Sequence, residues 1–479
     1  MRDGSELDAD SFLMKAEQAP PHTRWRGNPA RELRGGPGSP AAGDVAAAWT
    51  TRLPRYLWAA PVATADPYGV VGVSPSVYLH RDPTPPYVAR DADAALDRTL
   101  EAQRFVLVVG DSKAGKSRSG FEAVRRRLPA SQLIVPMAGG REVAELLRDP
   151  PVPAGSPPAV LWLDDLDRFL GDASGFDREL LAWLQRPGPE LVVVATIDSR
   201  RRDDLRRIRG GIGWAARRIL ELASEVPVPA GLSDAERAQA ERCYPEIDLD
   251  RGIGAALSAA PALEWRFDLG AVAAPAGRAM VEAAVDWHRT GMATAIAEAD
   301  LRALSRSYAR AAGGRRRRRR AEAEGLAWAG HPVAPGIALL RPAGRGRSRR
   351  WLADDHLVAL AAGRAGGSAR EVAPAAWELA LARASATDAV RVGFAAYASG
   401  NPEVAAAAWS RASESGHPEA APWAAVNLGL LHGRQGDVAG AAAAFERART
   451  SGHPEVAPWA AVHLGLLAGR LGEAEAAAA

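Results

Sequence analysis

The chain has 479 residues, 47 % hydrophobic and 24 % charged, with a net charge of +3; this gives room for two to four globular domains and excludes a chain built throughout as a polyanion binder. A single cysteine, Cys243, excludes an intrachain disulfide. No apolar run approaches the roughly 18–20 residues of a membrane-spanning helix, and the polar, acidic start (Met1–Asp10) lacks the apolar centre of a secretory leader, so a cytoplasmic location and no membrane partner are expected.

Residues 1–48, rich in Ala, Pro, Gly and charge, are expected to form a disordered tail. In residues 49–100 aromatics (Trp49, Trp58, Tyr68, Tyr78) alternate with prolines, and the stretch reads as an N-terminal linker region ending in a helix over Asp91–Leu100. From 101 to 230 strands and helices alternate. Phe105–Val109 is a continuous apolar run, as a strand buried on both faces requires. A helix over Ser117–Leu128, a strand over Gln132–Val135, a helix over Arg141–Arg148 and a strand over Ala159–Leu163 follow. The alternation ends with a helix over Asp177–Gln185, a strand over Leu191–Ile197 and a last strand over Arg218–Leu222. This spacing predicts βαβ units and an α/β P-loop NTPase domain whose parallel sheet is of the additional-strand type.

Residues 231–320 turn helical, as a lid. Ser233-x-x-Glu236 is a capping box that opens one helix, and Gly277–Thr290 and Ala299–Arg310 are amphipathic. The lid ends in six arginines, Arg315–Arg320, expected as a flexible linker because like charges at this density repel. Such a run offers phosphate contacts alone, so nucleic-acid binding is at most weak and non-specific. Residues 325–362 mix short β-like pieces (Ile337–Leu340, Arg350–Leu352) with a helix near Asp354–Ala362, the pattern of a small winged-helix unit.

Residues 370–479 hold an internal repeat. Arg411–Glu419 and Pro422–Leu431 recur at an offset of 36 residues as Arg447–Glu455 and Pro458–Leu467. Gly393 and Gly400 stand in register with Gly429 and Gly436. This is the helical-hairpin pattern of tetratricopeptide or Sel1-like repeats, which bury a core by stacking and present an extended surface to a protein or peptide.

The chemistry is concentrated in the α/β part. Gly110-Asp111-Ser112-Lys113-Ala114-Gly115-Lys116-Ser117 matches G-x-x-x-x-G-K-[ST] in full, between an apolar strand and a helix that continues with Arg118. Glycines let the backbone approach a phosphate, Lys116 reaches the β/γ oxygens, and the Ser117 hydroxyl is a Mg²⁺ ligand. The chain has three lysines, Lys15, Lys113 and Lys116, and two of them fall in this loop. The strand Val160–Leu163 ends in Asp164 and Asp165: Asp164 is expected to hold Mg²⁺ and Asp165 to orient or deprotonate the attacking water. The alternative for Asp165 and Asp167 is a helix cap. Thr196 or Arg200, at the tip of the next strand, is placed to sense a γ-phosphate. No Asn-Lys-x-Asp occurs, which argues for ATP over GTP.

In this order the motifs resemble the STAND class of signalling ATPases, over about residues 87–479. More narrowly, the stretches Phe105–Ser117, Leu161–Leu170 and Tyr244–Gly254 resemble actinobacterial ATPases with tetratricopeptide repeats. The resemblance implies a switch that exchanges ADP for ATP and changes its self-association. The Met-His-Asp element that contacts ADP in that class has no clear match here; Asp354-Asp355-His356 lies at about its place with the residues in a different order. The expected function is a regulatory ATPase with slow hydrolysis; the alternatives are a non-hydrolysing ATP-binding scaffold and a winged-helix DNA-binding regulator.

Overall fold

The computed structural model describes residues 6–7, 24–26, 31–32 and 57–478, the last apart from 75, 79–81, 83–84, 137–139, 151, 153–155, 171–174, 187, 189, 208–213, 293, 310–314, 335, 344–348, 364–368 and 455. The chain divides into two compact units, Met1–Arg52 and Leu53–Ala479. In the first, β1 (Glu6–Leu7), β2 (Arg24–Arg26) and β3 (Arg31–Glu32) form one sheet, β2 pairing parallel to β1 and antiparallel to β3. The rest of the tail expected over 1–48 lies outside the described residues.

The second unit is built on a six-stranded sheet. Its strands are β4 (Leu57–Pro61), β5 (Phe105–Gly110), β6 (Gln132–Pro136), β7 (Ala159–Leu163), β8 (Leu191–Asp198) and β9 (Ser224–Pro227), in the order β4-β6-β7-β8-β5-β9. β4 is antiparallel to β6 and the other pairs are parallel. β8 therefore lies between β5 and β7 as an additional strand. The apolar runs behave as their composition demands: β5, β7 and β8 are buried along their whole length. The helices of this part are α1 (Pro67–Val70), α2 (Asp93–Ala102), α3 (Lys116–Arg127), α4 (Gly140–Arg148), α5 (Phe176–Gln185), α6 (Ser199–Arg207) and α7 (Trp214–Leu222). Leu96 and Leu100 of α2 and Phe121 and Val124 of α3 pack on Val106, Val108, Val160, Trp162 and Val194. Leu107, Leu161 and Val193 are wholly buried on the opposite side of the pleat; α4, α5 and α7 pack on one another as a further group of helices.

Two expectations are corrected here. The last strand is Ser224–Pro227; Arg218–Leu222 is the end of helix α7, because Ala216, Ile219 and Leu220 are buried at helical spacing. Pro227 suits β9, an edge strand with no partner on its outer side. The sheet also reaches back before residue 101, since β4 forms its other edge.

Beyond the sheet come α8 (Asp234–Cys243), α9 (Ile253–Leu257), α10 (Ala260–Ala273), α11 (Pro275–Arg289), α12 (Glu298–Ser305) and α13 (Arg315–Gly330). The capping box at Ser233 and Glu236 is formed in full. The six arginines are helical, starting α13, rather than a linker. The helix is held downstream, where Leu326 and Ala329 are buried and Gly325 lies against the backbone of Gly277. Arg317–Arg320 stay exposed, and Arg320 pairs with Glu324 at 2.7 Å. α12 ends at Ser305, short of the expected Arg310.

β10 (Ile296–Ala297), β11 (Leu340–Ala343) and β12 (Arg350–Ala353) form a small antiparallel sheet, order β10-β12-β11, followed by α14 (Asp355–Ala361). The β-like piece expected at Ile337–Leu340 is displaced to Leu340–Ala343, since Ala334 and Ile337 pair across a tight turn. Among the described residues the array that follows has six helices: α15 (Pro374–Arg383), α16 (Ala386–Ala398), α17 (Pro402–Ser413), α18 (Ala420–Gln435), α19 (Val438–Thr450) and α20 (Val456–Ala478). Consecutive helices from α16 to α20 pack against each other. Among the described residues no helix is long and apolar enough to cross a membrane.

Candidate functional site

β5 ends at Gly110 and α3 begins at Lys116, so the glycine-rich segment is a strand-to-helix loop. Lys113 (φ 61°) and Gly115 (φ 96°) both take left-handed backbone; at 115 only glycine does so without strain. Turns of this kind, leading into a helix start, gather N–H groups around a concavity suited to an anion. The Lys116 ammonium folds back onto the loop and donates to the Asp111 carbonyl at 2.8 Å.

Strand order brings the acids to this loop. The Ser117 hydroxyl donates to Asp164 Oδ1 at 2.7 Å. Thr196, from the intervening β8, donates to the same oxygen at 2.8 Å and accepts the Asp165 N–H at 2.9 Å. Asp165 has positive φ (55°), and its side chain makes no capping hydrogen bond to the turn that follows. The Asp167 carboxylate is engaged by Arg201 at 3.2 Å. The cap alternative thus finds no support at Asp165.

Burial pushes the Asp164 carboxyl up, against the hydrogen bonds of Ser117 and Thr196 and the charges of Lys116 and Arg168. Asp165 is pushed up to about 8, by burial first and then by Asp164, Asp167 and Asp355. Carboxylates crowded in this way favour a cation beside them. Ser117 and Asp164 are hard oxygen donors of the kind Mg²⁺ takes, with water and phosphate completing its shell. Among the described residues no cluster of three or more His, Cys, Asp or Glu side chains forms a self-sufficient metal site; one hydroxyl and one carboxylate fit a Mg²⁺ delivered with phosphate.

The loop is covered from three directions. Residues 66–74 cross it: Lys113 donates to the Ser74 hydroxyl at 2.7 Å, and Trp162 donates to the Val71 carbonyl at 2.9 Å. Gly72 lies against the Asp164 carboxylate, where a Cβ would overlap it. From α9, Gly254 touches the Lys113 carbonyl so closely that any side chain would overlap it. From α14, Asp355 enters, with Asp354 Oδ1 3.8 Å from Lys113 Nζ. Burial opposes the Asp355 charge, but His288, Lys113 and Arg168 hold its carboxyl below the usual range. His356 turns away and meets Glu264 at 2.6 Å. The space left among these groups is about 150 Å³, lined by Ser112, Lys113, Gly115, Lys116, Ser117, Arg118, Asp164, Asp165 and Asp355 among others.

Arg118 is anchored by Tyr68 Oη at 2.6 Å and lies near the Tyr68 and Tyr87 rings. Thr196 is wholly buried and acts on Asp164 without lining that space. Arg200 is exposed and lines neither this space nor the larger one beside it, although the hydroxyl of its neighbour Ser199 donates to Asp111 of the loop. Arg90 escaped the sequence reading. Its guanidinium joins the Ala114 carbonyl (3.1 Å), Glu236 (2.9 Å) and the Pro229 and Gly231 carbonyls (2.6 and 3.0 Å), tying the loop to the start of the helical region. The capping box gave half of this signal: Glu236 completes the box and accepts from Arg90 as well.

No known family profile matches the chain, and no curated protein does. Among solved structures, it is similar to a Signal Transduction ATPase with Numerous Domains (STAND) protein with a tetratricopeptide repeat sensor from Pyrococcus horikoshii. The match covers 84 % of this chain and 66 % of that one, at 11 % identity and a TM-score of 0.27. The chain thus spans just under two thirds of that protein's length, and likeness at this level assigns no activity.

Proposed function

We propose that the chain is a regulatory nucleotide switch that binds ATP with Mg²⁺ on the Gly110–Ser117 loop, hydrolyses it slowly, and engages a protein or peptide through its repeats. One observation carries this reading: Ser117 and Asp164, from separate segments of the chain, meet at 2.7 Å at the carboxyl edge of the sheet, beside a loop that places Lys116 at its rim. In open α/β sheets that edge is where ligands bind.

Gly110, Asp111, Ser112, Lys113, Ala114 and Gly115 would wrap the phosphates, with Lys116 on the β/γ oxygens and Arg118 behind them. Ser117 and Asp164 would hold Mg²⁺, which neutralises phosphate charge when bound. Thr196 fixes Asp164 and turns the Asp165 backbone. Asp165, held up to about 8, is a weak proton acceptor at lower pH, which suits slow turnover. Lys113 links the loop to Ser74 and Asp354, so a change in phosphate occupancy has a route to the helical part.

The test is nucleotide titration of the full chain with ATP–Mg²⁺, ATP alone and ADP, alongside turnover and mass by light scattering. Micromolar ATP binding that Ser117→Ala and Asp164→Asn uncouple from Mg²⁺ supports the reading. ATP and ADP both failing to bind at millimolar concentration would end it.

A further inference from the structure

A cleft of about 1210 Å³ separates the sheet edge from the first helices of the repeat array. Charges of both signs stand on both of its walls: Asp167, Arg168 and Arg201 on the sheet side, Glu378 and Arg391 on the array side. Charged walls keep their water, so the cleft adds little cohesion. Where α7 comes near α18 the charges are alike. Burial pushes the Arg217 guanidinium down, Glu221 opposes the shift, and Arg434 adds to it.

The root of the array is held quite differently, by a buried carboxylate. Asp286, in the last turn of α11, is wholly buried, and donors from three segments converge on it. Arg370 reaches both oxygens, at 2.7 and 3.1 Å. Arg289 adds a contact at 3.0 Å, the Tyr308 hydroxyl one at 2.7 Å and the Ala373 N–H one at 3.1 Å. Arg370 and Ala373 lead directly into α15, and Tyr308 follows α12. Burial, and then the Asp286 carboxylate, push the Tyr308 hydroxyl up, which keeps it a donor. A carboxylate gripped by a forked guanidinium is a strong contact, and breaking it strands a buried charge. The other ion pair at the root, Arg383 with Asp300 at 2.8 and 3.0 Å, is solvent-exposed and holds far less. Two residues on from Asp286, His288 lines the cleft and is first among the charges that hold Asp355 down, in the wall of the nucleotide space. One helical turn thus faces both the array root and that wall.

We infer that Asp286 is a positioning residue that clamps the repeat array to the helical part, and that the array swings as one body about the end of α11 when the clamp opens. The cleft gives it room to move. Consecutive helices from α16 to α20 pack on each other, so the array turns without coming apart, as hinged units do. The clamp stands independently of the nucleotide reading; transmission through His288 to Asp355 rests on it.

The experiment uses the full chain without nucleotide and reads hydrogen exchange by mass spectrometry, particle length by small-angle scattering and helical content by circular dichroism. Asp286→Asn and Arg370→Gln each speed exchange in α15 at least about tenfold and lengthen the particle. Helical content and exchange in β5, β7 and β8 stay as in the parent, which a general loss of structure would not allow. The double variant adds little to either single one, because both break the same contact. Asp300→Asn, in the exposed pair, changes exchange in α15 less than about threefold. If Asp286→Asn fails to fold, Arg370→Gln decides, since the Arg370 side chain reaches the surface. Unchanged exchange in α15, an unchanged particle length, or faster exchange spread evenly through the sheet overturns the proposal. A parallel titration of ADP reads the transmission: a several-fold shift of affinity in Arg370→Gln supports it, and no shift removes the link while leaving the clamp. ADP failing to bind the parent would count against the nucleotide reading and not against the clamp.

Discussion

The sheet and the repeat array bury their cores by opposite means. β5, β7 and β8 carry mainly Val and Leu on both faces, every residue buried, with Phe105 and Trp162 as their two rings, so the packing is spread over many aliphatic side chains. The array buries mainly alanines, such as Ala405, Ala408, Ala412, Ala441, Ala444 and Ala448, around one large ring per hairpin. Trp409 fills the space left by Gly393, and Phe445 that left by Gly429. Methyl groups bury little area each, so the array depends on its rings more heavily than the sheet, where aliphatic side chains share the burial. The sheet can then spend its polar residues at its strand tips on chemistry.

The largest expected effect follows directly. Trp409→Ala should destabilise the array by about 3–5 kcal/mol, whereas Ile197→Val in the sheet should cost about 0.5–1.5 kcal/mol; denaturant titration with hydrogen exchange separates the two regions. Similar losses at both sites would break the contrast. Asp165→Asn is the converse case, with turnover falling about 100-fold and nucleotide affinity retained. Unchanged turnover would leave the acid without a chemical role.

Next in size, Gly429→Val forces a side chain into Phe445, whose ring atoms lie 2.8 Å from a Cβ at that position. A loss of about 1–3 kcal/mol is expected. Gly465, in the same repeat position, has nothing within 4 Å, so Gly465→Val should change stability much less. Equal losses would show that the ring-and-glycine account is wrong.

The fourth test is a pH dependence. Asp165 binds its proton more tightly folded (about 8) than unfolded (about 4). Its contribution to stability is therefore complete below about pH 4 and is lost as pH rises through about 8. Metal-free protein should lose stability across that range with a shallower slope in Asp165→Asn, measured by thermal melts; the same slope in both would reject the assignment.

How much of this was legible depends on how local the signal is. Gly110–Ser117 and the Asp164–Asp165 pair are contiguous motifs at strand ends, and β5 through β8 follow from unbroken apolar runs. The repeat offset was equally visible, because stacking reuses one pattern. What was not legible is long-range. Arg90, Ser74 and Gly72 precede the motif in a Pro-rich stretch, and their partners Glu236, Lys113 and Asp164 are set by the fold alone. The six arginines read as a linker since their helix is held by Leu326 and Ala329, well downstream. Arg218–Leu222 is a five-residue run of three apolar and two charged residues whose helical spacing emerges only with Trp214 and Ala216 included.

The most direct test of the central claim is calorimetric titration of ATP–Mg²⁺ into the full chain and into Lys116→Ala, with circular dichroism confirming that both are folded. Removing the cation at the rim of the Gly110–Ser117 loop should abolish measurable binding while leaving the melting transition in place. Lys116→Ala binding ATP–Mg²⁺ as tightly as the parent would contradict the account.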